Sequence, residues 1–239
     1  VPMEERNTLL KFCYGQNLRT YSMPKIPDVI LKGAEELHLF DTPILLTREY
    51  ALTIEQRFIK RAIDLICALI LFVITSPFML LTAIAVKLYD GGPVLYKQIR
   101  CTTGGREFKI LKFRSMRVDA EKDGVARLAS KKDSRITPVG KFIRKVRLDE
   151  LPQLINIIKG DMSFIGPRPE RKFYIDQIME RDPRYRYLYQ IRPGVTSYAT
   201  LYNGYTDTVD KMLRRLRYDL FYLEHRSWLF DFKILVKTF

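Results

Sequence analysis

The chain has 239 residues, 47% of them hydrophobic, enough to bury one core or a core with a smaller partial domain, and this excludes a disordered chain. Forty-one Lys and Arg against 27 Asp and Glu leave a net charge of +14, which favours anionic partners such as phosphates, acidic lipid headgroups or nucleic acid. Cys13, Cys67 and Cys101 form no C-x-x-C pair and only His38 and His225 supply imidazole, so a disulfide framework, a thiolate zinc site and histidine-centred chemistry are disfavoured; a reducing, cytosol-facing compartment fits.

Residues 1–50 read as alternating short elements: a helix around Glu4 to Cys13 stopped by Gly15, an extended Leu18 to Ser22, a helix around Asp28 to Leu39, and an extended Ile44 to Thr47. Two short strands cannot hold a sheet alone, so this segment leans on the rest of the chain or is the tail of a domain whose beginning lies elsewhere. The chain starts at Val1, and no charged leader precedes the hydrophobic run, so no secretory signal is read.

From Leu65 to Val86 run 22 residues without a formal charge, long enough to cross a bilayer as a helix. Pro77 lacks an N–H and crowds the Val73 carbonyl, and the Ser76 hydroxyl can bond a carbonyl one turn back, so a sharp bend is expected there. Arg57, Lys60 and Arg61 precede the run and Lys87, Lys97 and Arg100 follow it, which makes both flanks cytoplasmic. A helix that enters one leaflet, breaks at Ser76-Pro77 and returns satisfies all three features; a kinked spanning helix and a core helix of a soluble protein are the alternatives.

Val94 to Arg100 and Glu107 to Phe113 flank Thr103-Gly104-Gly105 and predict a β-hairpin with a glycine turn. Val118 to Asp133 is polar and reads as a surface loop. Thr137-Pro138 opens a helix with a core face of Val139, Phe142, Ile143 and Val146. A second helix places Leu151, Leu154, Ile155 and Ile158 on one face, with Asp149 at its N-cap and Gly160 as its stop. Asp210 to His225 is a helix with a basic face. The apolar cluster from Trp228 to Val236 lies at a membrane interface or packs on the protein's own core.

Three segments could do chemistry. Asp149 and Glu150 follow Arg144, Lys145 and Arg147; helix amides and cations favour an ionised Asp149, a competent nucleophile toward phosphorus, with Glu150 able to hold Mg²⁺. Ordinary helix capping accounts for the same dipeptide. Lys112 and Arg114 could clamp a diphosphate or could be the charges of an edge strand. In Gly166-Pro167-Arg168-Pro169-Glu170, two prolines fix Arg168 on a rigid turn suited to a phosphate, or make a stiff structural turn.

Together these pieces resemble the monotopic phosphoglycosyl transferases, also called bacterial polyprenyl sugar-phosphate transferases. The similarity runs from about Glu55 to the end, in the family's order: Lys60-Arg61 with Asp64, the Ser-Pro helix, Gly92-Pro93-Val94, Lys112-Phe113-Arg114-Ser115-Met116, Asp133 through Gly140, Leu148-Asp149-Glu150-Leu151-Pro152-Gln153-Leu154, Gly160-Asp161-Met162-Ser163 leading to Gly166-Pro167-Arg168-Pro169, and Arg192-Pro193-Gly194. The resemblance implies a mainly helical α+β fold: a re-entrant membrane helix broken at Ser76-Pro77, a β-hairpin, and amphipathic interfacial helices around a cytosolic site. It divides the chain into residues 1–54, the tail of a Rossmann-like α/β domain; 55–90, the membrane helix; and 91–239, the catalytic domain.

The implied reaction is ping-pong. Asp149 attacks the sugar-bearing phosphate of a UDP-sugar, UMP leaves, and undecaprenyl phosphate takes the phosphosugar, initiating exopolysaccharide, capsule, O-antigen or glycoconjugate synthesis at the bacterial inner membrane. Glu150 would bind Mg²⁺, Lys112, Arg144 and Arg168 would fall in the phosphate and nucleotide site, and Asp219 would be a further acidic site residue. Membrane lipid is an implied partner, a homodimer is allowed for, and nucleic acid is not expected, since no helix-turn-helix, zinc or RNP motif is present. After Arg192-Pro193-Gly194-Val195-Thr196 the chain has Ser197, Tyr198, Ala199 and Thr200, where the family commonly has glycine, a large apolar residue, alanine and glutamine. The rival from another class is a non-catalytic basic protein of the membrane surface.

Overall fold

The computed structural model describes residues 3–16, 18, 20, 35–39, 42–46, 54–120, 133–204, 206 and 208–238. The chain divides into two compact units, Val1–Arg48 and Glu49–Phe239.

In the first unit, α1 covers Met3–Gly15, with Glu4 and Glu5 in its first turn where the helix dipole favours acids. Strands β1 (Glu35–Leu39) and β2 (Thr42–Leu46) pair antiparallel, Glu35 opposite Leu46 and Leu39 opposite Thr42. The helix expected to reach Leu39 is therefore replaced over its last five residues by a strand. The remainder of that expectation, and most of the extended Leu18 to Ser22, lie outside the described residues.

The second unit begins with α2, Ile54–Asp90, 37 residues long and apolar enough to cross a membrane. It does not end at Ser76-Pro77; the helix runs through. Pro77 cannot donate to the Val73 carbonyl, and the Ser76 hydroxyl donates to that same oxygen at 2.8 Å, so the group the proline leaves unpaired is satisfied locally. Asp64, Ala68, Thr82 and Val86 form the buried stripe, whereas Val73, Ile74, Phe78, Leu80 and Leu81 are exposed. A soluble core helix would bury that second set.

Both ends of α2 are tied to the same unit. At the start, Lys60 pairs with Asp231 at 2.7 Å and Arg61 donates to the carbonyls of Ile157 and Ile158 at 2.6 and 2.8 Å. At the end, Asp90 pairs with the guanidinium of Arg114, which also donates from Nε to the Pro93 carbonyl at 2.6 Å. Ala68 packs with Phe108, Leu154 and Ile157, and Val86 packs with Phe113 and Ile143, so two small cores sit beneath the two halves of the helix.

The hairpin forms as expected, β3 (Leu95–Cys101) antiparallel to β4 (Glu107–Phe113), with Tyr96 opposite Lys112 and a one-turn 3₁₀ segment at the tip. Helix α3 (Pro138–Lys145) begins at Thr137, whose hydroxyl accepts from the Gly140 amide at 2.9 Å. Of its expected core face, Ile143 is buried and Val139 partly so, but Phe142 and Val146 are exposed. Helix α4 (Gln153–Lys159) stops at Gly160 in the left-handed conformation, φ 89°, as glycine permits. Its buried side is Gln153, Leu154, Asn156 and Ile157, a narrower and more polar face than the leucine-isoleucine pattern implied. Asn156 stitches it to β4, accepting from Leu111 N and donating to Lys109 O, each at 2.9 Å.

Beyond this, β5 (Ser163–Ile165) pairs in parallel with β6 (Gly194–Thr196). Gly166 and Gly194 meet backbone to backbone: a Cβ at Gly194 would lie 2.2 Å from Gly166 N, and one at Gly166 would lie 2.3 Å from Arg192 O. This contact locks the Gly-Pro-Arg-Pro turn to the Arg-Pro-Gly turn. Helices α5 (Lys172–Arg181), α6 (Tyr198–Asn203), α7 (Val209–Glu224) and α8 (Trp228–Thr238) then surround the largest core, which includes Ile175, Ile178, Met212, Leu216, Tyr222 and Ile234. Helix α8 packs on the protein's own core along one side only. Ile234 is in the core, and Trp228, Leu229, Phe232 and Val236 stay exposed.

Candidate active site

Asp149 lies in a one-turn 3₁₀ segment, Leu148–Glu150, between α3 and α4. It is not the N-cap of α4: that position is Pro152, which makes no side-chain cap bond. The chain enters the turn through Arg147 at φ 57°, ψ 18°, the only non-glycine residue with positive φ among the described residues. A side chain in that region costs about 1–2 kcal/mol. The strain falls on the residue that swings Leu148, Asp149 and Glu150 round toward β4, in keeping with the clustering of such outliers at functional sites.

Asp149 is 8% exposed and the Glu150 side chain 20% exposed. The cations favour the ionised form of Asp149 as expected, but burial outweighs them. Burial pushes its carboxyl above the usual value, Lys112 works against the rise and Glu150 adds to it, with Arg144 a smaller opposing influence. Glu150 shifts the other way. Burial would raise it, but Lys112, whose ammonium is 2.6 Å from Oε1, and then Arg168 hold it at about 2.

Arg144, in the last turn of α3, donates from Nε to the Ser115 hydroxyl at 2.8 Å. Arg168 is exposed on its proline-fixed turn and makes no hydrogen bond or ion pair among the described residues, yet it acts electrostatically on Lys112, Glu150, Glu170 and Asp219. It is a cation without an assigned anion at the edge of an acidic pair. Arg114 is not part of this group. Although it lies two residues from Lys112 on the same strand side, it is 7% exposed and committed to Asp90 and Pro93.

Asp219 sits behind the turn in a buried network that sequence reasoning missed. Glu170 accepts from Arg215 and, at 3.0 Å, from Arg100, while Asp219 Oδ2 is 4.0 Å from Arg215 Nε and Oδ1 has no hydrogen-bond partner. Burial drives Asp219 up to about 7, Arg215 pulling it back and Glu170 adding to the rise. The glutamate was visible in the Gly-Pro-Arg-Pro-Glu run. Its partners, 70 residues upstream and 45 downstream, carried no local signal.

Among the described residues no group of three or more His, Cys, Asp or Glu is arranged to hold a metal. Mg²⁺ needs fewer protein ligands than that, typically one or two carboxylates plus substrate phosphates and water. Glu150 fits such a partial site: it is ionised, and only Oε1 is engaged by Lys112.

The arrangement sets two adjacent carboxylates under the influence of Lys112, Arg144 and Arg168, on a unit that carries a helix long and apolar enough to cross a bilayer. Residues 55–239 match the family model described as bacterial sugar transferase, and the chain belongs to that family, the polyprenyl sugar-phosphate transferases. It is 44% identical over 181 residues to the UDP-N-acetylgalactosamine-undecaprenyl-phosphate N-acetylgalactosaminephosphotransferase of Aeromonas hydrophila, covering 76% of this chain and 43% of that one. It is 37% identical over 232 residues to the UDP-glucose:undecaprenyl-phosphate glucose-1-phosphate transferase of Escherichia coli K12, covering 92% of this chain and 48% of the relative. The enzyme of the same description from Caulobacter vibrioides is 40% identical over 181 residues, covering 75% and 67%. The chain thus spans about half the length of the first two relatives.

Proposed function

We propose that this chain carries the catalytic unit of a sugar-1-phosphate transferase that moves a phosphosugar from a UDP-sugar to undecaprenyl phosphate. The observation that carries the reading is the opposite displacement of two neighbouring acids, Asp149 raised and Glu150 held at about 2. Acids whose environments push them apart take different roles. Asp149, the more basic carboxylate, is the nucleophile; Glu150, permanently ionised, pairs with Lys112 and would hold Mg²⁺. A bound Mg²⁺ would neutralise charge on the substrate phosphates.

In the first step an Asp149 oxygen forms a bond to the phosphorus that bears the sugar, and the bond from that phosphorus to the oxygen bridging to UMP breaks, UMP leaving with the electron pair. In the second, an oxygen of undecaprenyl phosphate attacks the same phosphorus and the Asp149 carboxylate departs, regenerated. Lys112, Arg144 and Arg168 neutralise the phosphates, the main demand of phosphoryl transfer. Arg168 has no competing ion pair among the described residues and so meets the substrate first. Asp219 is a positioning residue, 2% exposed, acting through Arg215 and Glu170 on the turn that presents Arg168.

The re-entrant reading of α2 belongs to the same proposal. Its two ends are anchored to one unit, through Lys60 and Arg61 at one and Asp90 at the other. A spanning helix would put those anchors on opposite sides of a bilayer roughly 30 Å thick. With both ends on the cytosolic face of the inner membrane, a lipid phosphate and a soluble nucleotide sugar reach one site.

The test is UMP release with UDP-N-acetylgalactosamine or UDP-glucose, undecaprenyl phosphate and Mg²⁺. Asp149→Asn is expected to lower the rate by about 10³-fold or more, as loss of a nucleophile does. Full activity in that variant overturns the reading.

A further inference from the structure

A cavity of about 250 Å³ opens at the other end of the hairpin and of α4 from the acidic pair. Its wall carries Arg57, Lys60, Arg106, Arg192 and Arg226 against a single carboxylate, Asp64. Gly160, the C-terminal stop of α4, and Thr102 and Thr103 at the hairpin tip also line it, whereas Asp149 precedes α4 and Lys112 lies near the hairpin base. Five residues of extended strand separate Lys112 from Glu107, which places the tip roughly 17 Å away from Lys112. One phosphate cannot serve both places.

Three buried polar atoms on this wall have no hydrogen-bond partner among the described residues: the Ser163 hydroxyl, in a residue 1% exposed, Asp64 Oδ2, in a residue 4% exposed, and Gln190 Oε1. Buried groups of this kind are rare and call for a partner; of the three, the Ser163 hydroxyl is the one that can donate to an anion, the Asp64 and Gln190 oxygens being acceptors. Lys60 and Arg106 are balanced by Asp231 and Asp161. Arg192 is not: it makes no hydrogen bond or ion pair among the described residues, and Arg61 and Arg57 crowd it with like charge, with Asp64 the one acid acting on it. The Arg192-Pro193-Gly194 turn is fixed by the Gly166 to Gly194 contact, which holds the backbone that carries Arg192 at the cavity wall.

We propose that this cavity is a second phosphate-binding site, separate from the catalytic acids, in which Arg192 and the Ser163 hydroxyl take the phosphate oxygens. Its volume is just below the ~300 Å³ where pockets for drug-sized ligands begin, so it suits a phosphate with a short ester rather than a whole nucleotide sugar. Arg57, Lys60 and Asp64 lie on the turns of α2 immediately before the uncharged Leu65 to Val86 run, which sets the cavity at the level where lipid phosphates lie. The phosphate can come from a phospholipid headgroup or from solution.

The full chain in phosphatidylcholine nanodiscs, titrated with inorganic phosphate and followed by melting temperature, tests this without any UDP-sugar, so it stands or falls apart from the transferase reading. A saturable rise is expected in the native protein, at a midpoint shifted at least tenfold upward in Arg192→Gln and in Ser163→Ala, but unmoved in Arg168→Gln. In nanodiscs containing phosphatidylglycerol, a melting temperature already raised and deaf to added phosphate assigns the site to a lipid headgroup; a retained response assigns it to soluble phosphate. No saturable response in either disc, or an Arg192→Gln midpoint equal to the native one, overturns the proposal. So does a midpoint that moves with Arg168 and not with Arg192.

Discussion

Glu150 and Asp219 are both carboxylates beside arginine or lysine, yet the structure moves them in opposite directions. Glu150 has an ammonium at 2.6 Å and settles at about 2; Asp219 is 2% exposed, 4.0 Å from its nearest cation, and rises to about 7. The consequences for stability have opposite signs. Glu150 contributes stability that is fully present above its ordinary value of 4.5 and is lost as pH falls toward 2. Asp219 binds its proton more tightly folded than unfolded, so the fold loses stability as pH rises from about 4 through 7. Melting temperature is therefore expected to decline between pH 5 and pH 7, within the range that shift defines, and Asp219→Asn, neutral throughout, should flatten that slope. An unchanged slope in the variant would place the titration elsewhere.

At the scale of elements, two turns far apart in sequence are held by a contact that only glycine allows. With a Cβ 2.2 Å from a backbone nitrogen, Gly194→Ala must separate β5 from β6 or fail to fold. Its melting temperature is expected to fall by about 10 °C or more, as for a loss of several kcal/mol, and UMP release should fall with it because Arg168 rides on the same turn. The hairpin, α3 and the end of α4 were legible in sequence because their signals are local: alternation with a glycine turn, a Thr-Pro start, a glycine stop. Asp149 was misplaced as an N-cap because nothing local marks Arg147 as left-handed, and that one residue turns the carboxylate off the helix axis. Arg114 read as a phosphate ligand because its partner, Asp90, is 24 residues away. The strand at 35–39 read as helix because Glu-Glu-Leu-His-Leu favours neither state alone, and pairing with Thr42–Leu46 decides it.

At the scale of the whole molecule, the exposed apolar faces fall on α2, on Phe142 and Val146 of the α3 end, and on α8. Their exposure has a reason if a bilayer covers them. The anchoring of both ends of α2 to one unit predicts that single cysteines at Glu55 and Tyr89, in a chain lacking Cys13, Cys67 and Cys101, react with a membrane-impermeant thiol reagent from the cytosolic side alone. Labelling of one position from each side would make α2 a spanning helix.

The proposed transfer requires Asp149 to become bonded to phosphorus. Incubating the full chain with UDP-N-acetylgalactosamine or UDP-glucose and Mg²⁺, without undecaprenyl phosphate, and sequencing the Asp149 peptide by mass spectrometry reads this directly. A hexose-phosphate or acetylhexosamine-phosphate adduct on Asp149, removed when undecaprenyl phosphate is added, is the predicted result. UMP release that proceeds while the Asp149 peptide stays unmodified, or an adduct on another side chain, would contradict it.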